Sequence, residues 1–573
     1  MIGRRLFLSQ LISASAFAQG VASRNVKAQP RGKPSGLPFH SRLVDVAAQA
    51  GLTLPTIYGP ADHKDFILET IGCGCAFIDY DNDGWIDILV LNGTRFDDPP
   101  AGLSNRLYKN NRDGTFTDVT REAGLFQTGW ASSVCTGDFN NDGFEDLFIT
   151  RYGGFTLYRN NGNGTFTDIT KQSGLIADPA KWYSGCSFLD YNRDGHLDLF
   201  VATYLKFDRA TVPKPGQTAN CTWKGLPVNC GPKGLPQGSF TLYRNDGHGV
   251  FSDVSEAAGI KKSFTGYGLT VVAADFDDDG WPDIFCACDS TPSLLFLNNH
   301  DGTFREDGVA RGAALNEDGM EQAGMGVGIG DPGLNGRLDI FKTHFADDTS
   351  ILYRNDGKGN FDDLTIRSGL GVETRFISWG AGIVDLDNDG LPDLFLVTGS
   401  VYPEIEKLLP GYPAKTPRVV FRNLGNGKFE ELIDEAGPGV GAPHISRGCA
   451  FGDFDNDGDV DILIVNLNEP PSLLRNDITG AANHWLKVRL IGVKSNRSAI
   501  GARVICKYGG KQQAQEVVSQ SSFFSSNDRR LHFGLGAAAA AELEIRWPSG
   551  LRQVVKDIAV NRLVTVTEGL PLK

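Results

Sequence analysis

The sequence predicts an all-β protein: a seven-bladed β-propeller of four-stranded blades, closed by an N-terminal strand and followed by a small β-sandwich-like domain. Three observations predict it. A nine-residue acidic loop recurs seven times in the 573 residues, a short apolar run follows each copy, and the fourth strand missing from the last repeat has its match near the N-terminus.

Six copies of the loop place oxygen side chains at positions 1, 3, 5 and 9. They are Asp79, Asp81, Asp83 and Asp87; Asp138, Asn140, Asp142 and Asp146; Asp190, Asn192, Asp194 and Asp198; Asp275, Asp277, Asp279 and Asp283; Asp385, Asp387, Asp389 and Asp393; and Asp453, Asp455, Asp457 and Asp461. A degenerate copy, Asp331 to Asp339, stands fifth, with Pro332 at position 2 and Gly333 at position 3. Successive copies start 59, 52, 85, 56, 54 and 68 residues apart. A period near this value, broken by insertions, marks one supersecondary unit used repeatedly.

Each loop sits at the tip of a predicted hairpin. A Gly/Ala/Cys-rich segment such as Gly74–Ile78 precedes it, and an apolar run such as Ile88–Leu91 follows. A third strand of the form Leu-Tyr-Arg-Asn comes next, as at Leu157–Asn160, then a Gly-rich turn and a tail such as Phe116–Leu125. Four antiparallel strands make a propeller blade. Six repeats carry the tail, whereas the seventh stops at Leu473–Asn476. Leu43–Leu52 matches the tail almost position by position, so the N-terminus is expected to supply the outer strand of the seventh blade and leave no open edge.

The loop chemistry points to calcium. Alternate Asp and Asn side chains supply hard oxygens, position 7 can offer a carbonyl, and Asp at position 9 can close the shell. Glycine at position 6 permits the positive φ of a sharp turn. An EF-hand is excluded, because position 12 is Val90, Ile149, Val201, Cys286, Leu396 or Ile464 rather than Glu. Plain Asp-Gly hairpin turns would need no such concentration of carboxylates. Six structural calcium sites are expected, with the fifth loop empty or weak.

Arg4-Arg5 followed by an apolar stretch to Ala18 reads as a signal peptide within residues 1–28, of twin-arginine type, cleaved after Ala18 or after Ala28. The expected location is periplasmic or secreted, with no membrane span. In an oxidising compartment, Cys221 and Cys230 are the best disulfide pair. Cys75, Cys186 and Cys449, each four residues before a loop, read as small packing residues. A net charge of −14 argues against nucleic-acid binding, and a monomer is expected.

The loops resemble the FG-GAP/VCBS repeats of integrin α-subunit propellers. Ile500–Val504, Ser525–Asp528, Arg530–Gly536 and Trp547–Gly550 resemble the ASPIC/UnbV domain. Repeats followed by that domain are the hallmark of the cartilage acidic protein family. The resemblance implies calcium-dependent folding and an extracellular binding role, and it implies no established catalytic activity. It gives a propeller over residues 40–477 and an ASPIC/UnbV domain over 484–570. In that domain Arg503, Asp528, Arg530 and His532 could form a site or a buried polar network.

On the face opposite the loops, Trp130, Trp182, Tyr183, Tyr267 and Trp379 offer either an aromatic platform for sugars or blade-to-blade packing. The titratable pool there is Arg151, Tyr152, His344, Arg375, His444 and Arg447, beside insertions at 203–239 and 399–418. Two readings follow: a binding module for a glycan or an extracellular protein, and a polysaccharide lyase or hydrolase. The familiar nucleophile, zinc and phosphate-loop motifs are absent, which favours binding.

Overall fold

The structure, a computed structural model, describes residues 23–260, 265–480 and 482–572, so Arg4, Arg5 and the apolar stretch of the signal peptide lie outside the described residues. Strands dominate. The α-helices among the described residues are three four-residue turns, and none is long and apolar enough to cross a membrane.

Seven four-stranded antiparallel sheets take up the repeats in order. Sheet one runs Cys75–Ile78, Asp87–Val90, Arg106–Asn110 and Phe116–Asp118. Sheets two to seven begin at Ala131–Gly137, Lys181–Leu189, Gly268–Ala274, Val327–Gly330, Ser378–Val384 and Ser446–Gly452. In each sheet the acidic loop joins the first strand to the second, and its position 9 Asp is the second strand's first residue. Sheet seven takes its fourth strand from the N-terminus: Leu43–Asp45 pairs antiparallel with Ser472–Asn476, Leu43 opposite Asn476.

Packing explains the residue types. Second strands such as Asp393–Thr398 are buried at every position, so they read as unbroken apolar runs. The first strands of neighbouring sheets pack on one another through the whole series, and that of sheet seven packs on that of sheet one. The approach is backbone to backbone. A Cβ on Gly185 would lie 2.1 Å from the Leu269 carbonyl, and one on Gly326 would lie 2.0 Å from that of Trp379. Small residues are therefore required there, and Cys75, Cys186 and Cys449 are fully buried among them.

The C-terminal domain has seven strands in two sheets. One orders Leu531–Gly536, His484–Ile491 and Arg562–Thr567; the other orders Lys511–Glu516, Arg503–Tyr508, Ala540–Arg546 and Arg552–Ala559. Between two of these strands, residues 519–528 leave the domain and run among the first strands of the seven repeat sheets. The Gln520 amide donates to the Val134 carbonyl (3.0 Å) and accepts from the amides of Cys186 (3.2 Å) and Val271 (3.4 Å). Ser522 and Val327 exchange both backbone hydrogen bonds at 2.6 Å. The Cys75 amide donates to Ser525 Oγ, the Phe451 amide to Asn527 Oδ1, and the Phe523 ring meets Trp379 at 5.1 Å. One segment thus touches the first strand of every sheet.

Residues 23–40 lie across the later sheets. Arg24 reaches the buried Asp348 (2.9 Å), Arg31 reaches Glu431 (2.6 Å), and the Arg422 guanidinium donates to Ser35 Oγ (2.6 Å). Cleavage after Ala28 would remove the first of these contacts, whereas cleavage after Ala18 would keep all three.

Candidate metal centres

The seven loops share one hydrogen-bond plan. In loop one, Asp79 Oδ1 accepts from the Asp83 amide (2.9 Å) and Oδ2 from the Gly84 amide (3.1 Å), while Asp87 Oδ1 accepts from the Asn110 amide (2.8 Å). Position 4 is left-handed throughout, from φ 51° at Leu334 to 62° at Asp278. The turn is therefore built by the carboxylates at positions 1 and 9 acting on backbone amides.

What remains for an ion is the inner ring of oxygens. In four loops, carboxylate oxygens gather within 4.8 Å of one another: Asp79, Asp81 and Asp87; Asp275, Asp277 and Asp279; Asp385, Asp387 and Asp393; Asp453, Asp455 and Asp461. Loops two and three carry Asn at position 3, and the amides of Asn140 and Asn192 turn to Asp142 and Asp194 (2.8 Å each). Oδ1 of Asp81 and of Asp277 is buried with no hydrogen-bond partner, an acceptor left free inside a cluster of like charge. An all-oxygen set of this kind fits a hard divalent cation. Burial, reinforced by neighbouring carboxylates, pushes the Asp87 carboxyl up to about 8. Burial likewise raises Asp190 to about 7 and Asp79 and Asp138 to about 6. Loops one and seven also meet cations of the chain, Lys109 on Asp81 and Lys487 on Asp453, and in loop four the His300 imidazole meets Asp279 (2.6 Å).

The fifth loop keeps the turn and loses the ring. Asp331 still accepts from the amides of Asn335 (2.9 Å) and Gly336 (2.7 Å), but Gly333 leaves position 3 without an oxygen. A Cβ on Gly333 would lie 2.8 Å from a nitrogen of the Arg354 guanidinium.

One set of residues passed unrecognised in the sequence although it recurs in every repeat. The last Asn of the third strand sends its side-chain amide to the position 2 carbonyl of the preceding loop. Asn160 donates to Tyr80, Asn245 to Phe139, Asn298 to Tyr191, Asn355 to Phe276, Asn423 to Pro332 and Asn476 to Leu386. Asn110 then donates to Phe454, from sheet one to loop seven. The distances run from 2.7 to 2.9 Å, and the signal was the invariant Asn ending Leu-Tyr-Arg-Asn.

The C-terminal domain covers the loops. Arg489 reaches Asn82, the Arg497 amide donates to Asn141, and Arg193 donates to the Pro548 carbonyl. Arg503 pairs with Glu516 (2.8 Å) and bonds the Asp275 carbonyl, while the Ala514 amide donates to Asp331. His532 meets Asn388 (2.7 Å), and Arg530 binds Asp528 (2.8 Å) and the Asp453 carbonyl (3.0 Å). Of the four polar residues singled out in that domain, Asp528 pairs with Arg530 and the two line one cavity with His532, whereas Arg503 is turned to loop four.

On the opposite face the aromatic residues lie inside the protein. Trp130, Trp182, Tyr183, Tyr267 and Trp379 are 6% exposed or less, so none offers a ring face to a sugar in this structure. Trp182 packs edge-on to Tyr204, and Trp130 to Tyr58. The insertions pack above them: Trp223 meets Tyr402 and Tyr412, Phe96 stacks on Phe207, and Lys224 pairs with Asp347 (2.6 Å). The disulfide Cys221–Cys230 lies in the first insertion. The titratable pool is dispersed. Arg151 bonds Thr156, Tyr152 the Phe207 carbonyl, Arg375 Glu373 and His444 Glu469. His344 is buried near Asp348, with burial lowering its imidazole to about 3. Arg447 is wholly buried over the Trp379 ring and donates to the Thr70 carbonyl.

Comparison with known proteins agrees with the repeat pattern. The FG-GAP-like repeat matches residues 79–149, 138–201, 234–286, 275–341, 334–396 and 415–464, and the ASPIC and UnbV domain matches 492–571. Cartilage acidic protein 1 of Homo sapiens is 27% identical over 326 residues, 55% of this chain and 46% of that protein. The Xenopus tropicalis protein of the same name is 27% identical over 311 residues, 52% of this chain and 44% of its own length. The chain thus spans about half the length of these relatives. Among solved structures, an Agrocybe aegerita lectin specific for non-reducing terminal N-acetylglucosamine aligns over 69% of this chain and 85% of its own, at 18% identity and a TM-score of 0.33. The exotype rhamnogalacturonan lyase YesX aligns over 88% and 92%, at 14% identity and a TM-score of 0.32. At those scores neither likeness bears on fold or function. With repeats over more than half its length and that terminal domain, the chain belongs to the FG-GAP-repeat family ending in an ASPIC and UnbV domain, the family of the cartilage acidic proteins.

Proposed function

We propose that the seven sheets are the blades of a closed seven-bladed β-propeller with calcium as a structural ion in six of its loops. The assembly works as an exported binding module for a glycan or an extracellular protein. The observation that carries the closed ring is the run of seven asparagine bonds, which returns from sheet one to loop seven. Calcium is supported by the all-oxygen clusters and the free acceptors on Asp81 and Asp277.

Binding is favoured over turnover by what occupies the axis. Residues 519–528 fill it from the loop side and the packed insertions cover it from the other, so a ligand meets outer surfaces and loops carried on a rigid frame. Export to the periplasm or beyond is supported by the Cys221–Cys230 bond on an insertion. The test is a glycan and peptide array with and without chelator, scoring polysaccharide breakdown in the same samples. Saturable, chelator-sensitive binding without breakdown is expected. Turnover of a polysaccharide in the presence of chelator would overturn the reading.

A further inference from the structure

This is an acidic protein, with a net charge of −14, yet four arginines gather where the C-terminal domain meets loops one and two. Arg489, Arg497, Arg529 and Arg530 line a cavity of about 110 Å³ whose walls include Asp79, Asp138, Glu145 and Asp528. Their partners do not balance. Arg530 is matched by Asp528, and Arg529 is matched along one edge by Glu145. The remaining nitrogens of Arg529, Nε and Nη1, are buried with no hydrogen-bond acceptor. Arg489 and Arg497 form no ion pair among the described residues. The Arg489 guanidinium has a 3.3 Å contact to the neutral Asn82 side chain, and that of Arg497 a 3.5 Å contact to the Gly492 carbonyl.

Three guanidinium groups with unused donors at one cavity are a binding surface lacking its acceptor. The planar fork of arginine matches carboxylate, sulfate and phosphate oxygens in pairs, which a lysine does not. We propose that this cavity binds an oxyanion, the charged group of an acidic polysaccharide being the form it suits best. The volume takes a charged head group and not a sugar chain. The rim is open, since Asn82 and Arg497 are exposed, so the rest of a larger ligand can extend into solvent. Asp79 and Asp138 are first residues of loops one and two, and ions there would cancel their charge and strengthen the anion's field. The site is read from the arginines alone; only its calcium sensitivity and its glycan form rest on the function proposed above.

The test is calorimetric titration of the full-length protein at low salt with sulfate, phosphate, glucuronate and an oligouronate, the last against its neutral carboxyl-reduced counterpart. The expected result is saturable binding of the oligouronate, tighter than that of sulfate or phosphate, with none of the neutral chain. R489A/R497A should weaken it at least tenfold, and R489K/R497K, which keeps charge and loses the fork, should recover only part. R497A alone, at an exposed position, is read if the double variant loses thermal stability. Binding confined to free sulfate or phosphate would keep the oxyanion site and remove the polysaccharide. No binding of any oxyanion, or affinity unchanged in R497A and in the double variant, would overturn the proposal. Arginine-dependent binding that chelator leaves untouched would count against calcium in loops one and two while leaving this site in place.

Discussion

Loops five and six differ in what they do with the same backbone. Leu334 and Asn388 both take position 4 with positive φ, 51° and 57°, and Asp331 and Asp385 accept the same pair of amides. Loop six adds Asp387, buried, whose carboxylate lies close enough to those of Asp385 and Asp393 for the three to share one ion. Loop five has Gly333 instead, with the Arg354 guanidinium in the space a side chain would take. Burial raises the Asp339 carboxyl to about 7, and Arg354 and Arg337 oppose that shift. The difference separates two jobs. Positions 1 and 9 shape the turn, which the fold needs in all seven copies. The remaining oxygens concentrate negative charge, and loop five, which has fewest of them, sets the Arg354 guanidinium beside the gap.

The largest expected effect is chelation. Each site held at a hundredfold excess over its Kd contributes about 2.7 kcal/mol. Removing six such ions should lower the melting temperature by about 10 °C or more and open the loops to protease. An unchanged melting temperature would remove calcium from the fold. Next, Asp387→Ala should lower the calcium-loaded melting temperature by several degrees and leave the chelated one nearly unmoved, because Asp387 serves the ion more than the turn. Equal loss in both states would assign Asp387 instead to the hydrogen bond it accepts from the His40 amide (3.2 Å). Third, Gly333→Asp with Arg354→Leu, the residue that Leu297 provides in sheet four, should raise bound calcium by one ion per chain in native mass spectrometry. No gain would show that something beyond these two residues disables loop five.

The smallest effect is on pH. Carboxylates held at about 6 to 8, as at Asp79, Asp190 and Asp87, keep protons in the metal-free fold that the unfolded chain, near 3.9, has released. Stability of the chelated protein should therefore be highest near pH 4 and fall as pH rises through 6 to 8. Calcium competes with those protons, so the gap in melting temperature between loaded and chelated protein should widen over the same range. A gap equal at pH 5 and pH 8 would show that the loops release no protons when loaded.

The loops were legible because ligand, turn and repeat coincide within nine residues. The strand at Leu43–Asp45 was legible because the tails could be counted. Residues 519–528 were not. Ser-Gln-Ser-Ser-Phe-Phe-Ser-Ser has no strand or helix period, and its partners, such as Cys75 and Val134, lie about four hundred positions away in the chain. The aromatic residues left two readings open for a related reason. Composition cannot say whether a Trp beside a long insertion is covered by it, and here Trp223 and its neighbours close over that face. The cover over the loops was equally hidden, since Arg503, Arg530 and His532 identified a domain and not where it docks.

The segment at residues 519–528, which bonds the first strands, has a consequence for synthesis. A ribosome delivers the seven sheets in order, but Leu43–Asp45 emerges early and waits for Ser472–Asn476, and residues 519–528 emerge last of all the groups the first strands require. Until they arrive, the amides of Cys75, Cys186 and Phe451 lack the partners that this segment supplies, and the nascent sheets expose strand edges on which other chains can pair. Such a chain gains most of its cooperativity at the end of translation. A truncation before residue 519 should therefore accumulate as aggregate and not as a smaller soluble protein.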